Sequence, residues 1–162
     1  MQDKNLERIV VTGGYPLSGE VAISGAKNAV LPIIAASLLS DGVCVLQDVP
    51  KLADVYIIQA VLESLGCKIT FTDNVMTIGA EEILTYEASP DLMQKMRASV
   101  LILGPLLARF SKAKISLPGG CAIGSRPVDM HLRGLEELGA TIRLQEDSII
   151  AEVNGRLKGA EL

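Results

Sequence analysis

Tryptophan is absent from this chain of 162 residues, and three tyrosines with two phenylalanines are its whole aromatic complement. That leaves no platform on which bases or sugar rings could stack. Recognition has to be polar, and the core has to be built from Leu, Ile, Val and Ala. Cysteine is scarce as well. Cys44, Cys67 and Cys121 are odd in number and contain no CxxC pair, which fits neither a disulfide scaffold nor a zinc site. The single histidine, His131, has no Ser, Cys or metal-ligand spacing around it and reads as a helix-surface residue rather than a catalytic base.

An excess of basic charge is also missing. A formal net charge of −4 without a Lys/Arg cluster gives no pull toward nucleic acid or an anionic membrane. The longest apolar runs, residues 29–39 and 99–108, fall short of the roughly 18 to 20 residues that span a bilayer. Residues 1–8 are polar and of mixed charge, without the basic flank and apolar stretch of a secretory leader, so a cytoplasmic location is expected. With 49% hydrophobic residues, the length suffices for one good core, and one domain is the default.

What is present is a repeat. LESLGCKI at residues 62–69 recurs as LEELGATI at 135–142, an offset of 73, and at the same offset PIIAA (32–36) matches PLLAR (105–109). Within the first copy the pattern predicts a strand over 21–23, a helix over 28–39 and a strand over 43–46. A second helix over 54–65 would bury Val55, Ile58, Val61, Leu62 and Leu65 and stop at Gly66. A hairpin of 68–72 and 75–78 would turn at Asp73-Asn74. The second copy predicts a helix over 96–110, a strand over 114–117, a helix over 127–138 closed by Gly139, and a hairpin of 141–145 and 148–153 turning at Glu146-Asp147. Both copies spell β-α-β-α-β-β, although no opening strand of the second stands out in 81–87. Such units bury their helices against neighbouring copies, so about two units leave a helix layer partly uncovered. The chain is therefore expected to be unfinished at its C-terminus, with self-association through that layer as one way to cover it.

Chemistry points first to residues 117–131, LPGGCAIGSRPVDMH, a glycine-rich loop entering a helix at Pro127. Gly119, Gly120 and Gly124 open backbone conformations closed to other residues, and the loop amides with the helix N-terminus can face an anion. Cys121 between them is either an acid or nucleophile with a lowered thiol pKa, or a small loop hydrophobe. Arg126 could grip a phosphate or carboxylate at two points, or lie solvated on the surface. Asp129 suits a helix first turn with or without a ligand. A second candidate is the turn SGAKN at 24–28, which sets Lys27 and Asn28 near a helix N-terminus. It lacks the GxxxxGK[ST] spacing of a nucleotide triphosphate loop. Arg97, at the start of an otherwise apolar helix, faces water or an anion. Cys44 and Cys67 read as core filler.

ISGAKNAVLP (23–32), MRAS (96–99), SLPGGCAIGSRPVDMH (116–131) and GLEELGATI (134–142) together resemble, in order and spacing, the UDP-N-acetylglucosamine 1-carboxyvinyltransferase (MurA) family of enolpyruvyl transferases. The likeness covers essentially the whole chain. It implies an α/β (α+β) fold, an inside-out barrel of six β-α-β-α-β-β units in two domains, of which about two units are present. Residues 1–22 would be a strand segment packing with the other domain. Residues 23–162 would be an incomplete domain with units at about 20–80 and 81–155.

The resemblance further implies transfer of the enolpyruvyl group from phosphoenolpyruvate to the 3-hydroxyl of UDP-N-acetylglucosamine with release of phosphate. That reaction opens peptidoglycan synthesis, on which cell-wall biogenesis, cell shape and cell division rest, and it needs no metal and no cofactor. Lys27 and Arg126 would hold the phosphoenolpyruvate anion, Asn28 the amino sugar and reacting centre, and Arg97 the nucleotide diphosphate. Arg126, Pro127, Val128, Asp129 and Met130 would cradle the uridine. Cys121 would be the loop thiol that fosfomycin alkylates. The family's general-base Asp lies in the other domain, so this chain alone is expected to be inactive. The alternative is a non-catalytic binding or interaction protein that keeps part of the fold.

Overall fold

The computed structural model describes residues 8–116, 128–145 and 147–161, without the side chains of Arg97 and Ser99. In the first repeat, Leu31, Ile34, Ala35 and Leu38 recur at helical spacing and are buried. They shape helix α1 (Lys27–Ala36), which tightens into a 3-10 turn over Ser37–Leu39. Pro32 lies inside α1, where it removes one backbone donor without ending the helix. Strand β1 (Val43–Leu46) follows, then α2 (Ala53–Leu65), whose Val55, Ile58, Val61, Leu62 and Leu65 are fully buried as the periodicity predicts. α2 ends at Gly66, whose φ of +113° and contact with the Glu82 carbonyl leave no room for a Cβ. Strands β2 (Lys68–Thr72) and β3 (Val75–Gly79) form the expected hairpin.

The second repeat comprises α3 (Pro90–Met93), a 3-10 segment (Arg97–Ile102), α4 (Leu103–Phe110), β4 (Lys112–Ser116), α5 (Asp129–Glu137) and the hairpin of β5 (Ala140–Gln145) with β6 (Ser148–Val153). Its sheet, β4-β6-β5, repeats the antiparallel order β1-β3-β2 of the first. Helix residues Ile34, Leu38, Ile58, Leu62, Leu103 and Leu106 and the strand residues Met76, Ile78, Ile115, Ile149 and Ala151 all belong to one buried cluster. α1 packs on α2 and on the 3-10 segment, while α4 packs on the 3-10 turn that ends α1. Helices α1, α2 and α4 thus share one core with the inner faces of the two sheets, whereas α5 has no buried residue. No helix among the described residues is long and apolar enough to cross a membrane.

Several expectations need correction. The helix expected over 96–110 divides between Ile102 and Leu103. Pro105 has no N–H for the Leu101 carbonyl and crowds it, so the turns before it tighten into 3-10 form. Residues 21–23 form no strand; Val21 and Ile23 are 88% and 95% exposed. A β-branched pattern makes a strand only where another strand supplies the ladder. The opening strand of the second copy shrinks to one parallel bridge, Glu87 to Lys114, with Lys114 N–H donating to Tyr86 O (2.9 Å) and Ala88 N–H to Lys114 O (3.0 Å). β4 starts at Lys112 rather than at Lys114, and α5 at Asp129; Leu117, Pro127 and Glu146 lie outside the described residues. Gly139 has the left-handed φ (+95°) of a helix terminator, as expected.

Candidate functional site

The turn before α1 is held by a close approach. A Cβ on Gly25 would collide with the Asp48 carbonyl oxygen and press on Pro50, so only glycine fits there. Asp48 itself has a positive φ of 55°, and the next residue, Val49, donates its N–H to Asn74 O at 2.8 Å. The β2–β3 turn thus anchors the loop on which Gly25 rests.

That turn delivers an unusual helix start. Ala26 at the N-cap has no side-chain capping bond, and the first turn of α1 carries no acidic residue. It carries Lys27, a cation at the positive end of the helix dipole, where an anion is the stabilising charge. Lys27 Nζ lies 3.0 Å from Asp54 Oδ2, in the first turn of α2, with half of the lysine side chain and a third of the aspartate side chain exposed. Asn28, beside it, is exposed. The sequence marks Asp54 as a helix start, but no pattern connects it to a lysine 27 positions earlier.

Arg97 opens the 3-10 segment that packs on α1. Val128 is half-buried against the core and precedes α5, while Asp129 and Met130 in the first turn of α5 are exposed, Met130 by 79%. Met130, Leu135 and Leu138 face Leu101 and Gly104 across an apolar cleft of about 250 Å³, so α5 borders the same 3-10 segment. The structure therefore puts the elements bearing Lys27 and Asn28, Arg97, and Val128 to Met130 in a run of neighbours. Cys121, Arg126 and Pro127 lie outside the described residues. His131 is exposed on α5, as expected.

The two cysteines within the described residues take structural positions. Cys44, expected as core filler, is only half-buried on β1 and lies outside the buried core cluster. Cys67 is buried, and burial pushes its thiol up to about 11 although the Arg109 charge pulls the other way, so it stays protonated and unreactive at neutral pH.

A family profile described as EPSP synthase (3-phosphoshikimate 1-carboxyvinyltransferase) matches residues 11–162. The chain belongs to that family. It is 52% identical over 160 residues to the UDP-N-acetylglucosamine 1-carboxyvinyltransferase of Granulibacter bethesdensis, covering 97% of this chain and 38% of that protein. It is 54% identical over 157 residues to the enzyme of the same name from Sorangium cellulosum, covering 97% of this chain and 37% of that protein. It therefore spans under two fifths of the length of these relatives. The enolpyruvyl transferase NikO from Streptomyces tendae superimposes with a TM-score of 0.74 at 23% identity, over 90% of this chain and 32% of that one. EPSP synthase from Acinetobacter baumannii gives 0.63 at 16% identity, over 87% of this chain and 33% of that one. These two likenesses show the fold.

Proposed function

We propose that the protein transfers the enolpyruvyl group of phosphoenolpyruvate to the 3-hydroxyl of UDP-N-acetylglucosamine and releases phosphate, the opening step of peptidoglycan precursor synthesis, in the cytoplasm. The observation that carries this is the 52–54% identity across 97% of the chain to transferases named for that acceptor, against 16% to the EPSP synthase structure. Turnover belongs, in this reading, to a protein of the relatives' length, and the 162 residues alone bind ligand without turning it over. The exposed apolar residues Ile9, Val10, Val11 and Leu17 of the N-terminal segment would then pack on the part that completes it.

In this reading Lys27 and Arg126 neutralise the phosphoenolpyruvate anion while the sugar hydroxyl gives up its proton and adds to C2 of the enol as C3 takes up a proton; phosphate and a C3 proton then leave, restoring the double bond. The helix start supports that assignment for Lys27, because its ammonium and the uncapped first-turn N–H groups of α1 can face an anion together, with half of the lysine side chain open to solvent. Asn28 contacts the amino sugar, Arg97 the diphosphate, and Arg126, Pro127, Val128, Asp129 and Met130 the uridine. Cys121 is the reactive thiol. The test is the intact mass of this chain after fosfomycin treatment, with and without UDP-N-acetylglucosamine. An adduct mapped to Cys121 that increases with the nucleotide sugar is expected. No adduct, beside a reactive full-length relative, would mean that the missing part is needed even to form the binding site and would overturn the reading that these 162 residues alone bind ligand.

A further inference from the structure

We propose that Asp54 is a positioning residue that holds the Lys27 ammonium ready for the phosphoenolpyruvate anion; the inference rests on the reading of Lys27 given above. Three observations bear on it. First, the ammonium has three donors, and the 3.0 Å contact to Asp54 Oδ2 engages one of them. Two remain for a ligand, and half of the lysine side chain is open to solvent.

Second, Asp54 is itself well supported. It sits in the first turn of α2, where the helix dipole favours its negative charge, and α2 is fixed by five fully buried residues. Third, α1 has no device of its own for this lysine, since its N-cap is an unbonded alanine and its first turn has no acid. The carboxylate from the neighbouring helix offsets the unfavourable meeting of Lys27 with the α1 dipole. It also fixes a side chain with four rotatable bonds, so that ordering loss is met before the ligand arrives.

Binding of phosphoenolpyruvate to this chain, followed by NMR titration, tests the idea in wild type, Lys27→Met, Asp54→Asn and Asp54→Glu. Thermal unfolding and relaxation of the Lys27 Cε–Nζ group are measured alongside. Lys27→Met is expected to abolish binding. Asp54→Asn should weaken it about three- to tenfold, the scale of ordering one long side chain. It should also mobilise the Lys27 terminus while leaving the unfolding temperature within a few degrees, and Asp54→Glu should recover most of the affinity. Unchanged or tighter binding in Asp54→Asn would overturn the inference, tighter binding marking the carboxylate as a competitor for the ammonium. Binding that survives Lys27→Met, or is absent from the wild type, would overturn the reading of Lys27 and the inference with it.

Discussion

Arg109 and Leu38 stand 71 positions apart, yet Nη1 of the one donates to the carbonyl oxygen of the other at 3.0 Å. The same nitrogen reaches Ser40 O at 2.7 Å, and the guanidinium lies 5.1 Å from the Phe110 ring centroid. A cation from the second repeat thus satisfies carbonyls at the C-terminal end of the α1 helical run, where positive charge is favoured. Arg109→Ala should lower the stability of the chain by about 1.5–3 kcal/mol, as for a lost hydrogen bond to a charged group. Urea unfolding checks it. Arg109→Lys should recover only part, because one ammonium does not reproduce the planar fork.

Gly25 and Gly134 should respond oppositely to alanine. A Cβ at Gly25 meets the Asp48 backbone, which cannot rotate away, so Gly25→Ala should cost more than about 2 kcal/mol. By moving the turn it should also part Lys27 from Asp54. Gly134 lies inside α5 with nothing within 4 Å of a built Cβ, so Gly134→Ala should stabilise by up to about 1 kcal/mol through helix propensity. Thermal melts of both variants decide this.

Asp73 and Asn74, both left-handed (φ 50° and 60°), give the β2–β3 hairpin its two-residue turn. Asn74→Ala should lose about 1 kcal/mol, the penalty for an ordinary side chain in that region. Asn74→Gly should lose nothing, since it keeps the carbonyl that accepts from Val49. Equal stability of the two variants in denaturant would contradict a turn-conformation account.

The hairpins and α2 were legible because their signals are local. Asp73-Asn74 sits between alternating strands, and Val55 to Leu65 keeps helical spacing up to Gly66. The break at Ile102 was not legible from apolar periodicity, which a 3-10 turn preserves over so short a run, although Pro105 was its visible cause. Residues 21–23 have strand composition, but composition does not supply a hydrogen-bonding neighbour. At the candidate site the reverse holds. Lys27 and Asn28 stood out in their turn, whereas Asp54 and the Gly25–Asp48 approach depend on which loops the fold brings together.

Cys67 makes stability depend on alkaline pH in a definite direction. Its thiol pKa is raised in the folded chain from 9.0 to about 11, mainly by burial, with the Arg109 charge opposing. Below pH 9 both folded and unfolded chains keep the proton, so this group adds no pH dependence. Between about 9 and 11 the unfolded chain releases its proton while the folded one retains it. The unfolded state then binds fewer protons, and stability falls as pH rises. The loss attributable to Cys67 is at most about 3 kcal/mol. The decisive measurement is a difference: urea unfolding of wild type and Cys67→Ala at pH 8 and pH 10.5. The variant loses packing at both pH values but should lose less stability than wild type between them. Parallel pH profiles would show that the thiol does not ionise on unfolding in this range.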